Sequence, residues 1–108
     1  MNKYHNRRIS IDGIVFDSQK EAHRYCELKL LEKKGKVFGM ARQVPFVLIP
    51  QEKGNKGTLR QIVYVADFVY LDEKGQKHVE DVKGVKTAVY KLKKRLLWHL
   101  YKINIEEV

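Results

Sequence analysis

Four residues carry the chemistry that this chain of 108 residues can be read for: Glu21, Asp67, Asp81 and Lys83. Asp81 and Lys83 stand in "VEDVKG", a run whose valines belong in a strand and whose charges do not. Asp67 stands in "IVYVADFVYL", where it interrupts an otherwise apolar alternation. Two carboxylates and an ammonium on one apolar face suit a hard divalent cation, because Mg²⁺ prefers carboxylate oxygens and keeps several of its waters.

Whether the two aspartates meet depends on the turn between them. In "LDEKGQK", Gly75 suits the last place of a three-residue hairpin loop, Glu73-Lys74-Gly75, where a left-handed residue is needed. Asp72 and Gln76 then close the loop, Asp67 falls opposite Asp81, and opposed residues project from the same face. Lys83 lies two residues on and shares that face, while Glu80 and Val82 point the other way. Like charges directly opposed destabilise a sheet, and a bound cation offsets that repulsion. A two-residue loop, Lys74-Gly75, instead sets Val82 opposite Asp67 and disperses the cluster.

The elements that must position these residues follow from periodicity and punctuation. "RISIDGIVFDS" reads as a hairpin about Asp12-Gly13. "SQKEAHRYCELKLLEKKGK" reads as a helix, with Ala22, Tyr25, Leu28 and Leu31 as its apolar stripe, widened by Cys26 and Leu30, and Gly35 as its stop. "QVPFVLIP" reads as a strand whose prolines suit an edge, and residues 51–58 as a mobile polar loop. "LRQIVYVADFVYL" is apolar on both faces, which predicts a central strand with Ile62, Tyr64, Ala66, Phe68 and Tyr70 on one side. A second helix, "KTAVYKLKKRLLWHLYK", has Val89, Leu92, Leu96 and Leu100 as its stripe and Trp98 off it, and "INIEEV" closes the chain as a strand. The predicted order is ββ-α-βββ-α-β, a single α/β domain over residues 1–108 with a mixed sheet and a final strand parallel to "VEDVK".

Composition bounds the partners. Lys plus Arg is 22 against 13 Asp plus Glu, a net charge of +9. That balance suits a nucleic-acid partner. No apolar run approaches the roughly 20 residues of a membrane span. The basic start, "MNKYHNRRIS", is followed by no apolar segment, so it does not read as a secretory signal. The lone cysteine, Cys26, permits no internal disulfide and fits a reducing cytoplasm. It reads as a core residue, because His23 and Cys26 find no second ligand pair at zinc spacing. His5, His78 and His99 read as surface residues. Lys86, Lys91, Lys93, Lys94 and Arg95 crowd the second helix directly after Lys83, and with an N-terminal arm of Tyr4, Arg7 and Arg8 they suit contacts to DNA phosphates. No aromatic single-strand motif supports RNA. Gln43 precedes a strand near the sheet and borders the site.

Asp67 followed by Asp81-Val82-Lys83, with Glu21 in "FDSQKEAHRY", resembles the signature of the PD-(D/E)xK nuclease superfamily, the restriction-endonuclease-like fold. "IDGIVFDSQKEAHRY", "YVADFVY" and "VEDVKGVKT…YKLKK" extend the likeness over most of the chain to a small phage-associated family of unknown function within it. The proline of the superfamily's name is absent, since Ala66 precedes Asp67, and the glutamine-tyrosine helix motif of the recombination exonuclease branch is not evident. The resemblance implies a restriction-like sheet flanked by two helices and Mg²⁺-dependent endonucleolytic hydrolysis of DNA, with Mn²⁺ able to substitute. It implies Asp67 and Asp81 as metal ligands, Glu21 as a ligand directly or through water, and Lys83 as the group holding the attacking water or neutralising phosphate charge. It suggests branched or recombination-intermediate DNA as substrate and, for a phage gene, the host cytoplasm as location. A chain this small offers little surface for enclosing a duplex, so a homodimer is expected. A basic DNA-binding module that does not cut is the rival expectation. Glu21 keeps a second reading of its own, because Ser18-Gln19-Lys20-Glu21 is a capping box.

Overall fold

Asp12 and Gly13, at φ 54° and 76°, turn the chain between β1 (Ile9–Ile11) and β2 (Ile14–Phe16). Both turn residues are left-handed, as a two-residue hairpin loop requires. The computed structural model of the chain describes residues 8–83 and 85–108. Helix α1 (Gln19–Lys33) starts at Ser18, whose side chain accepts from the Glu21 N–H at 3.0 Å, and stops before Gly35 at φ 72°. It buries Ala22, Tyr25 and Leu28. Cys26 and Leu30 are exposed, against the expectation that they widen the core stripe, because only one narrow side of α1 meets the sheet.

Strands β3 (Val37–Ile49), β6 (Ile62–Asp72), β7 (Lys77–Asp81) and β8 (Ile105–Glu107) form a four-stranded sheet in the order β3-β6-β7-β8. β3 is the edge strand that its prolines announced, though it begins six residues earlier than Gln43, at Val37. β6 is central, β7 pairs with it antiparallel, and β8 runs parallel to β7 after helix α2 (Ala88–Tyr101), as expected. Residues 52–59 are not a loop. β4 (Glu52–Gly54) and β5 (Gly57–Leu59) pair as a separate two-stranded ribbon inserted between β3 and β6. Backbone pairing alone makes this ribbon, which is why no hydrophobic alternation signalled it.

Two apolar clusters hold the helices to the sheet. On the α1 side Phe16, Tyr25, Leu28, Val37, Phe68 and Tyr70 pack together. On the α2 side Leu48, Tyr64, Ala66, Val79, Tyr90, Leu97 and Ile105 do so. The buried residues of β6 therefore serve both helices, and the expectation of one common face for Tyr64, Ala66, Phe68 and Tyr70 is corrected. The exchange falls at Asp67. Arg42 pairs with Phe68 and Val44 with Ala66, and between them Gln43 takes φ 51°, which interrupts the pleat. The stripe expected to bury α2 is corrected in part: Leu96 packs against the α2-side cluster, but Val89 and Leu92 are each 61% exposed and Leu100 47%, while Tyr90 and Leu97 face the sheet.

His78, expected at the surface, is half-buried and partnered. Its ring nitrogens meet Asp72 and Glu106, each at 2.7 Å, and the ring stacks on Tyr70 at 5.0 Å. The Asp72 hydrogen bond, above all, raises the pKa of His78, and the same bond is the leading cause of the lowered pKa of Asp72. Stability from the raised His78 is complete below its ordinary value of 6.5 and is lost as pH rises through the folded value. Stability from the depressed Asp72 is present above 3.8 and lost as pH falls. The pair is therefore strongest between those two limits. His78→Gln is expected to lower the melting temperature at about pH 5.5 and to do so much less at about pH 9. Equal losses at both values would dismiss an ionic role for His78.

Candidate active site

The hairpin register brings the acids together. Gly75 takes φ 76°, Asp72 and Gln76 close the loop at 2.9 Å, and the ladder runs from Leu71↔Lys77 to Phe68↔Glu80. The three-residue loop is the one formed, and the two-residue alternative is excluded. One step beyond that ladder lie Asp67 and Asp81, and the nearby Asp67 acts on the Asp81 carboxyl. Helix α1 adds Glu21 from its first turn, and Asp67 acts on it as well. Asp67 is thus the neighbour that the other two acids share.

Each carboxylate is held by the protein. Asp67 accepts from the Val82 N–H at 2.8 Å and from the Gln43 amide at 3.2 Å, so Gln43 does border the site. Asp81 is 3% exposed and accepts the Tyr64 hydroxyl at 2.6 Å on the oxygen that Lys83 approaches at 3.2 Å. The Lys83 ammonium also lies 4.1 Å from the centre of the Tyr90 ring. Glu21 meets Arg42 at 3.4 Å. Ser18 caps α1 through the Glu21 backbone, while the Glu21 carboxylate is turned toward Arg42 and Asp67, so the capping box accounts for the serine and not for the acid.

Burial first, and then the neighbouring Asp67, push the Asp81 carboxyl up to about 6, against the pull of Tyr64 and Lys83. The same two causes raise Glu21, opposed by Arg42. A protein that gathers acids so that they resist ionisation has a site a cation would relieve. Among the described residues, no three His, Cys, Asp or Glu side chains are already arranged around one metal position. The donor set nevertheless fits Mg²⁺, which is typically held by one or two carboxylates with waters and substrate phosphates completing its shell. Asp67 and Asp81 supply that pair, with Glu21 one carboxylate further out.

The basic residues divide. Lys86 and Lys94 reach Glu107 at 3.0 and 3.2 Å, and Tyr90 donates to the same carboxylate at 2.7 Å. Tyr90, ahead of the two lysines, holds Glu107 down at about 2. Lys94 and Tyr90 therefore brace α2 against β8, and Lys86 ties the segment just before α2 to the same carboxylate. Lys91 and Arg95 remain exposed and Lys93 half-buried. Arg8 pairs loosely with Asp17 at 3.7 Å, and Tyr4, His5 and Arg7 lie outside the described residues. Sequence reasoning missed Tyr64, Arg42 and Arg24. Tyr64 was set on the wrong side of β6, and the two arginines act only through partners distant in the chain. His23 and Arg24, with Gln19, Lys20, Glu27 and Val82, line a groove of about 440 Å³ beside α1.

An α/β domain with two strand-borne aspartates, a helix glutamate and a strand-end lysine thus frames the candidate site. The chain belongs to the family described as "Protein of unknown function (DUF1064)", whose model matches residues 1–106. No curated protein and no solved structure matches it. Among the described residues, no helix is long and apolar enough to cross a membrane.

Proposed function

We propose that this protein is a metal-dependent endodeoxyribonuclease of the PD-(D/E)xK type, hydrolysing DNA phosphodiester bonds at the Glu21–Asp67–Asp81–Lys83 cluster. The observation that carries this reading is the placing of Asp67 and Asp81 side by side at the end of the β6–β7 ladder, with Asp67 on the Val82 N–H at 2.8 Å and Lys83 3.2 Å from Asp81. Asp67 and Asp81 would hold the metal, oriented by the Val82 N–H, Gln43 and the Tyr64 hydroxyl. A bound Mg²⁺, or Mn²⁺ in its place, would supply a charge for the phosphoryl oxygen and a lowered pKa for its water. Lys83 would position the attacking water or neutralise charge growing on the phosphate. The net charge of +9 supports a polyanionic substrate, and branched recombination DNA is proposed by family analogy. A homodimer belongs to the same reading, with the exposed stripe of Val89, Leu92 and Leu100 as the face a second copy would cover.

One observation favours the rival reading, a basic DNA-binding module that does not cut: Glu21 and Asp81 already have cationic partners in Arg42 and Lys83. Incubating the protein with supercoiled, linear and four-way-junction DNA, in Mg²⁺ and in EDTA, separates the two. Cleavage that needs Mg²⁺ supports the nuclease; binding without cleavage supports the module.

Glu21→Gln tests the outer acid. The Ser18 cap uses the backbone of residue 21, so the helix start is kept. The substitution removes the charge next to Asp67 and the ion pair with Arg42. Mg²⁺ affinity is expected to fall about 10–100-fold, the range typical of an outer-shell partner, with the fold intact by circular dichroism. Unchanged Mg²⁺ affinity in a calorimetric titration would remove Glu21 from the site.

A further inference from the structure

The β4–β5 ribbon has no work to do in the core. Every residue from 50 to 62 is exposed except Gly54, which is partly covered. The ribbon forms its own sheet, and its cross-strand pairs are Glu52↔Leu59, Lys53↔Thr58 and Gly54↔Gly57. None of these is an apolar pair of the kind that stabilises a hairpin, and a lone two-stranded hairpin is marginal in water. What the segment carries is charge and hydrogen-bonding capacity: Lys53, Lys56 and Arg60 against Glu52, with Gln51, Asn55, Thr58 and Gln61. It is also narrow. A Cβ on Gly54 would lie 2.9 Å from the Leu59 side chain, so that side chain folds over the glycine and leaves no room there for another.

Its position relates it to the acids. The ribbon is inserted between the strands that carry Gln43 and Asp67, two residues joined by a hydrogen bond at the site. Arg60 lies seven positions from Asp67 and Lys56 eleven, so these cations reach at most about 25 and 40 Å from the site along extended chain. One turn of duplex DNA spans about 34–36 Å. A two-stranded ribbon fits the major groove, which is roughly 12 Å wide.

We infer that the β4–β5 ribbon is a second duplex-DNA contact, lying in the groove within about one helical turn of the cleavage site, with Lys53, Lys56 and Arg60 on phosphates. This inference rests on the nuclease reading. It is tested with the parent and the K53S/K56S/R60S variant in EDTA, by measuring affinity against salt. The probes are a duplex of about 20 base pairs, a duplex of about 8, and a single strand of about 20 nucleotides. On the long duplex the variant is expected to bind at least about tenfold more weakly, with a salt slope shallower by about 2–3, close to 0.9 per lost phosphate contact. The loss is expected to shrink on the short duplex, which cannot fill both contacts. Parent-like affinity and slope on the long duplex would overturn the ribbon contact while leaving the nuclease reading standing. An equal loss on the single strand would overturn the duplex assignment. A parent that binds none of the three probes would overturn the nuclease reading and this inference with it.

Discussion

Asp81→Asn is expected to abolish Mg²⁺-dependent cleavage, to leave DNA affinity in EDTA unchanged or slightly improved, and to raise the melting temperature at neutral pH. The loss of activity should exceed the roughly 10–100-fold typical of an outer-shell partner, because the substitution removes a carboxylate proposed to touch the ion itself. Binding is expected to survive because the acids repel the phosphate backbone when no metal is present. The stability gain follows from the raised pKa. Asp81 titrates near 3.8 when free and near 6 in the fold, so the folded state binds the extra proton between those values. Stability is therefore full below 3.8 and falls as pH rises through about 6.

Asparagine does not titrate and escapes that loss. The shift already contains the opposing pull of Lys83 and Tyr64, so the net gain at neutral pH is about 1–3 kcal/mol. Each kcal/mol moves the melting of a domain near this size by about 4–8 °C. The gain should vanish near pH 3, where the parent's Asp81 is protonated too. Thermal melts at about pH 3 and 7, with single-turnover cleavage on the same protein, decide the matter. A variant that cuts like the parent would take Asp81 out of the reaction. One that melts lower than the parent at neutral pH would show that Tyr64 and Lys83 stabilise the carboxylate more than burial and Asp67 strain it.

The parts of this site that were legible in the sequence were those set by local chemistry. Gly75 adopts the left-handed conformation its loop demands, and the Asp72 side chain fixes that loop by accepting from the Lys74 and Gln76 N–H groups at 2.8 and 2.9 Å. Those few residues determine the register, and the register makes Asp67 and Asp81 neighbours. The turn at Asp12-Gly13 and the cap at Ser18 were readable for the same reason. The faces of α2 were not. Val89, Tyr90, Leu92, Leu96, Leu97, Trp98, Leu100 and Tyr101 cover most of its circumference, so periodicity offers two seams and does not choose. The choice is made across the fold, where Tyr90 finds Glu107 and Leu97 finds the sheet. Tyr64 was misplaced because strict alternation was carried through Asp67, past the break that Gln43 introduces on the neighbouring strand. Arg42 on Glu21 and Arg24 on Glu80 join residues far apart in sequence, and nothing local marks either arginine as different from the solvated cations around it.

Arg24→Ala should be the most destabilising of the substitutions considered. Glu80, 1% exposed, stands in β7 directly before Asp81. Arg24 reaches it with two parallel bonds, Nε to Oε1 at 2.8 Å and Nη2 to Oε2 at 2.6 Å, and the Tyr70 hydroxyl donates to it as well. The carboxylate hydrogen bond raises the Arg24 pKa further, and burial ahead of Glu80 raises that of Tyr70. Removing the guanidinium leaves a buried charge with one neutral donor, a loss of about 3–5 kcal/mol. Replacing both partners, Arg24→Met with Glu80→Leu, removes the charge together with its counter-ion and should recover most of that loss. Urea titration of the parent, the single variant and the double variant gives the three values. A fourth titration, of Arg24→Met alone, gives the cause, since Met restores the packing of the Arg24 stem: full recovery by Arg24→Met would assign the effect to the stem, and recovery only when Glu80 is also replaced would assign it to the ion pair.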